Sequence, residues 1–264
     1  MQTERPPIPL YLFAKAPRAG EVKTRMQPQL SATAAARLAQ FMLEQTVENA
    51  CAHWPGEVAL CVAPRLDAPA FARLAARHRI AVTLQTGGDL GGRMRAALAA
   101  GIARAGAAAV MGCDVPHCPG PALARAHTLL VRGENPVGAT FDGGFYFLGL
   151  QRAEPALFSG VTWSGPAVLE TVRARAAAAG LQLTDLPRLR DIDHYADLQW
   201  LAGVEPAYRR FVAAAGDTAA ATPPEPGAGD TTAATPPEPG AGDTVAAESE
   251  TTPTVPTVPA EASP

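Results

Sequence analysis

The 264-residue chain is 47% hydrophobic and 18% charged, with a formal net charge of −3. No apolar run approaches the ~18 residues that a membrane-crossing helix needs, so no membrane partner is expected. From Asp217 onward there is no Lys, Arg, aromatic residue, Leu or Ile, but there are eight acids, which leaves 22 basic against 17 acidic residues before it, a net +5. That mild basicity suits anionic small molecules and is too weak to imply nucleic acid.

The opening MQTERPPIPLYLF has no basic stretch followed by a long apolar core, so a cytoplasmic protein without a secretory signal is expected. Ile8 to Phe13 reads as a strand running into the loop AKAPRAGEVKTR. Ser31 is a natural N-cap for a helix that places Ala36, Ala39, Leu43, Val47 and Ala50 on one face. A strand over Val58 to Val62, a helix over Pro69 to Arg77 and a strand over Ile80 to Leu84 follow. Leu90 to Arg104 then reads as a helix with Met94, Leu98 and Ile102 four residues apart. Ala108 to Met111 is a buried strand ending at GCDVP, and Pro121 to Val131 is helical. Val137 to Thr140 and Phe145 to Leu150 are strands around DGG. A helix over Pro166 to Ala178, a strand over Leu181 to Asp185 and a helix pair from Tyr195 to Ala214 complete the body. This alternation predicts a three-layer α/β/α domain over residues 1–215, with a mostly parallel sheet. In such sheets ligands sit beyond the carboxyl ends of the strands, which directs attention to the loops after Phe13, Leu84 and Met111.

Residues 216–264 read differently. GDTAAATPPEPGA from Gly216 recurs as GDTTAATPPEPGA from Gly229, and a third copy begins at Gly242 and decays. Pro, Ala, Thr and acid cannot bury enough apolar area to offset chain entropy, so a disordered acidic tail is expected.

The first loop carries the clearest chemical signal. Of 22 basic residues only Lys15 and Lys23 are lysines, and both lie in this loop with Arg18, Arg25 and Gly20. Compact ammonium heads suit a phosphate chain, and guanidinium forks grip its oxygens; the alternative is a solvated basic loop. Asp114, just past a buried strand, is placed to hold a divalent ion that bridges phosphates, or is a turn aspartate ahead of Pro116. GGDLGGRM puts Asp89 and Arg93 at a helix start, where backbone N–H groups can meet an anion or Asp89 can serve as N-cap. FDGGFYF sets Asp142 in a Gly-Gly turn, an ordinary hairpin turn or a close approach to a ligand. DIDHYADL places Asp191 and Asp193 before a helix, with Asp193 as second metal ligand or as N-cap. Four cysteines suggest no disulfide framework, and the single C-x4-C formed by Cys113 and Cys118 around His117 is a weak zinc signal. There is no P-loop motif and no nucleophile elbow.

Taken in order, FAKAPRAGEVKTRM, GGDLGGRM, GCDVP, DGGFYFLGL, TWSG and DIDHYADL resemble a bacterial glycosyltransferase-A-like family, of the radical-SAM/selenodomain-associated transferase type. KTRM also resembles the first loop of 2-phospho-L-lactate guanylyltransferases and molybdenum-cofactor nucleotidyltransferases. The resemblance spans about residues 8 to 203. It implies a nucleotide-diphospho-sugar transferase fold, GT-A and Rossmann-like, with nucleotide and Mg²⁺ or Mn²⁺ at the strand ends. Lys15, Lys23 and Arg25 would meet phosphates, Asp114 and Asp193 the metal, and Asp142 the acceptor side. The chain departs from the family where Cys113 and Val115 flank the aspartate, where Phe141 precedes DGG, and at His194.

The expected activity is metal-dependent nucleotidyl transfer from an NTP to a small phosphorylated or anionic acceptor. Glycosyl transfer from an NDP-sugar is the alternative, and a non-catalytic nucleotide-binding protein a further one. The latter needs no metal carboxylate, so Asp114 with Asp193 discriminates against it.

Overall fold

The computed structural model describes residues 6–220 apart from Pro28 and Ser164, and side chains only as far as residue 215. The chain divides into one unit of residues 1–222 and another of 223–264. The second unit, and with it nearly all of the expected tail, lies outside the described residues.

Among the described residues, seven strands and seven α-helices follow in the order β1 (Pro9–Lys15), α1 (Ala32–His53), β2 (Glu57–Ala63), α2 (Pro69–His78), β3 (Ala81–Leu84), α3 (Leu90–Ala105), β4 (Ala108–Gly112), α4 (Gly120–Val131), β5 (Asn135–Ala139), β6 (Phe145–Leu150), α5 (Val168–Ala178), β7 (Leu183–Asp185), α6 (Tyr195–Val204) and α7 (Arg209–Ala220). They form one sheet in the order β3-β2-β1-β4-β6-β5-β7. All pairings are parallel except those of β6, which runs antiparallel to both β4 and β5. The central strands are buried on both faces, as helix-covered sheets require. In β1, Leu10, Leu12 and Ala14 meet the layer of α1, α2 and α4, while Tyr11 and Phe13 face α3 and α5. Among the described residues no helix is long and apolar enough to cross a membrane.

Two local expectations change. On α1 the buried set is Ala35, Leu38, Met42, Leu43, Thr46, Val47 and Ala50, with Ala36 and Ala39 only half-buried. This helix serves two cores: Leu43, Val47 and Ala50 cover the sheet, whereas Ala35, Leu38 and Met42 pack with Met26 against α6 and α7. A single stripe read from the sequence averages the two faces. The last helix runs on to Ala220, five residues into the stretch assigned to the tail.

Candidate active site

β1 and β4 are parallel neighbours, with Phe13 opposite Gly112, so the loops leaving their carboxyl ends emerge side by side. Lys15 closes β1 and Asp114 follows β4 by two residues. The segment before α6 reaches the same place: Ile192 N–H donates to the Asp114 carbonyl at 2.9 Å, setting Asp193 beside Asp114. Asp193 is not the helix cap. His194 holds that position, and its N–H donates to Asp197 Oδ2 at 2.8 Å, leaving the Asp193 carboxylate for other work.

Lys23 joins these segments. Its Nζ donates to Asp114 Oδ1, to the Ile192 carbonyl at 2.7 Å and to Asp193 Oδ1 at 3.1 Å. The Lys23 side chain is 8% exposed, against 58% for Asp114 and 32% for Asp193, so a buried ammonium lies beneath two carboxylates that reach solvent. Burial works against the charge, but Asp114 and Asp193 outweigh it and hold the ammonium above the ordinary lysine range. Lys23 also sits in the left-handed region, φ 48° and ψ 36°. For a residue with a Cβ that costs about 1–2 kcal/mol, persisting where surrounding contacts over-determine it. Arg25 Nη1 reaches Asp193 Oδ2 at 3.3 Å from the outer side.

Above this cluster lies a cleft of about 670 Å³. It brings together six of the residues singled out in the sequence: Lys15, Lys23, Arg25, Arg93, Asp114 and Asp193. Gly20 and Asp89 are not part of its lining. Gly20 is a turn glycine with φ +83°. Asp89 caps α3, its Oδ1 accepting from Gly92 N–H at 2.7 Å. Arg18, in the same loop, pairs with Asp67 at 3.0 Å.

A second chamber of about 290 Å³ shares Arg25, Asp114 and Asp193 with the first and extends towards the DGG turn. Asp142 lines it, its Oδ1 accepting from Thr140 Oγ1 at 2.5 Å and from Gly144 N–H at 3.0 Å. The turn is more than a hairpin. Gly143 has φ +92°, and a Cβ there would lie 1.8 Å from the Pro166 carbonyl oxygen, so the segment before α5 closes directly onto it. Asp191, Phe145, Tyr146 and Trp163, to which the sequence assigns no role, also line this chamber. The Asp191 carboxyl is pushed up to about 6, by burial first and then by Asp142. TWSG and the first Asp of DIDHYADL were the available signals, but only the fold joins them.

Among the described residues no group of three or more His, Cys, Asp or Glu side chains converges in a way that could hold a metal ion. A closed four-ligand zinc cage therefore has no donor set here. Two carboxylates meeting on one cationic head do fit a hard divalent ion, since Mg²⁺ typically takes one or two carboxylates and completes its shell with water and substrate phosphates.

Residues 46–165 match the family profile described as "Uncharacterized protein conserved in bacteria (DUF2064)". No protein of curated function matches the chain. Among solved structures, a protein of Desulfovibrio desulfuricans G20, provisionally described as a nucleotide-diphospho-sugar transferase, shares 26% identity at a TM-score of 0.69, covering 80% of this chain and 95% of that one. The fold is that of the nucleotide-diphospho-sugar transferases. A cytidylyltransferase from Leptospira borgpetersenii serovar Hardjo-bovis aligns at 13% identity and a TM-score of 0.47, over 81% of this chain and 96% of that one.

Proposed function

We propose that the chain is a divalent-metal-dependent transferase that acts at a nucleotide phosphate, with nucleotidyl transfer from an NTP to a small acceptor as the leading reaction. The observation that carries this reading is the convergence of Asp114 and Asp193, from separate segments, on a buried lysine where two chambers meet. The larger chamber suits the nucleotide. Lys15, Arg93 and Arg25 line it and can meet phosphate oxygens by charge-assisted hydrogen bonds. Lys23 anchors both carboxylates from below and adds a positive charge beneath them. Asp114 and Asp193 would hold Mg²⁺ or Mn²⁺, which when bound supplies charge neutralisation on phosphoryl oxygens. Phosphoryl chemistry draws mainly on positioning and electrostatics, and these residues offer both. An acceptor in the smaller chamber would approach the shared wall of Arg25, Asp114 and Asp193.

Glycosyl transfer from an NDP-sugar is the second reading, favoured by the four carboxylates around the smaller chamber, which suit a partner rich in hydroxyl groups. A panel of NTPs and NDP-sugars incubated with Mg²⁺ or Mn²⁺ and a mixture of small sugars and phosphorylated metabolites as acceptors, followed by ³¹P NMR, separates the two. Pyrophosphate release supports nucleotidyl transfer, and nucleoside diphosphate release supports glycosyl transfer. A chain that neither binds nor turns over any of them is not a nucleotide-dependent transferase.

A further inference from the structure

The two carboxylates placed to hold a divalent ion are already engaged by cations. Asp114 Oδ1 and Asp193 Oδ1 accept from Lys23 Nζ, and Asp193 Oδ2 accepts from Arg25 Nη1 at 3.3 Å. Of their oxygens, only Asp114 Oδ2 has no donor among the described residues. Two carboxylates and two cations are thus in direct contact, and their charges balance. A divalent ion arriving alone would find no net charge to draw it, and would share the Asp193 carboxylate with a guanidinium of like sign.

The two cations are held very differently. Lys23 is 8% exposed and donates to three acceptors, one of them the Ile192 carbonyl, so moving it would break three contacts at once. Arg25 is 61% exposed, and Asp193 is its one acceptor among the described residues. A single exposed pair of that kind contributes little, so the guanidinium can leave at small cost. Its backbone is held meanwhile. Arg25 lies in the short 3₁₀ turn Thr24–Met26, and the Met26 side chain is buried in the core shared with α1, α6 and α7.

Arg25 also stands in the wall common to both chambers. Lys15 and Arg93 line the larger one, and among the described residues neither is paired with a carboxylate. A phosphate chain drawn in by them meets Arg25 as a third cation, and offers its fork a stronger acceptor than one half-exposed carboxylate. We infer that Arg25 is a counterion gate on the metal site: it holds Asp193 Oδ2 until a phosphate oxygen takes the guanidinium, so that divalent ion and phosphate chain bind together. Lys23 remains the fixed base of the site throughout. This gate rests on the metal and phosphate reading of the cluster and adds that one side chain opposes the ion while favouring the phosphate. By linkage, each ligand then raises the other's affinity by the same factor.

Mn²⁺ alone and inorganic tripolyphosphate alone separate the two halves of that claim, each titrated into the full chain in buffer otherwise free of metal. The EPR signal of free Mn²⁺ follows binding of the ion, and calorimetry follows tripolyphosphate. Arg25→Gln should bind Mn²⁺ tenfold or more tightly than wild type, equal to about 1.4 kcal/mol, and tripolyphosphate tenfold or more weakly. A merely structural ion pair would move neither affinity, and a simple phosphate ligand only the second. In an Asp193→Asn background, Arg25→Gln should bring no gain for Mn²⁺, because the carboxylate it guards is gone. The gate is overturned if Mn²⁺ affinity is unchanged or lower in Arg25→Gln, if the gain survives in the Asp193→Asn background, or if tripolyphosphate affinity is unchanged. NTPs and NDP-sugars are titrated with Mn²⁺ on the same preparations. A wild type that binds one of them, while Arg25→Gln gains nothing for the ion alone, refutes the gate alone. A gate that responds as expected, in a chain that binds no nucleotide, refutes the transferase reading alone.

Discussion

Replacing Lys23 with Met keeps most of the apolar stem and removes the ammonium, and the consequence follows from its three acceptors. Charge-assisted hydrogen bonds contribute about 1.5–3 kcal/mol each, and removing one partner of a buried pair costs about 3–5 kcal/mol. Asp114 is 58% exposed and Asp193 32%, so water recovers part of what their carboxylates lose. A net loss of about 2–4 kcal/mol is left, which in a body of this size corresponds to a fall of roughly 5–15 °C in melting temperature. The loss should register as disorder where the segment before α6 meets the loop after β1, since Lys23 joins them across a sequence separation of 170 residues. Calorimetric melting of wild type and Lys23→Met provides the check. The bared carboxylates should also gain from a divalent ion, so Mg²⁺ should raise the variant's melting temperature more than the wild type's. A variant that melts with the wild type, with or without Mg²⁺, would refute the ammonium as the centre of this cluster.

Asp114→Asn should keep the fold, because its side chain is more than half exposed, and should lower metal-dependent turnover by a hundredfold or more, about 2.7 kcal/mol in the barrier; steady-state kinetics against Mg²⁺ and Mn²⁺ measure it. Gly143→Ala meets both a positive φ and the Pro166 carbonyl, so a loss of about 2–4 kcal/mol is expected in chemical denaturation. Deleting residues 223–264 should leave the melting temperature unchanged, because their Pro, Ala, Thr and acid offer nothing to pack; a clear drop would show that they support the body.

Much of this arrangement is legible in the residues. Rare lysines confined to one loop mark the strand end where Lys15 and Lys23 stand, and apolar runs broken by GCDVP place Asp114 at another. Local pattern carries such features because strand ends and turns are local events. It does not carry strand order, so nothing in Phe145–Leu150 announces that β6 lies antiparallel between β4 and β5. Nor does it show burial imposed from afar. The sequence shows Lys23 as a base in a loop suited to phosphates, but not that the segment at Ile192 and Asp193 closes over it. Asp89 carries both readings in sequence, and the geometry spends its carboxylate on Gly92 N–H. The smaller chamber draws on the segments at Thr140, Trp163 and Asp191 as well as β6, and no spacing along the chain connects them.

The central claim is that Asp114 and Asp193 hold a divalent ion that secures a nucleotide in the larger chamber. Isothermal titration of NTPs and NDP-sugars into wild type and Asp114→Asn, each with and without Mn²⁺, tests it directly. The account predicts that at least one nucleotide binds wild type tenfold or more tightly with Mn²⁺, and that this gain disappears in Asp114→Asn. Equal affinity with and without Mn²⁺, or a gain that survives the substitution, would contradict it.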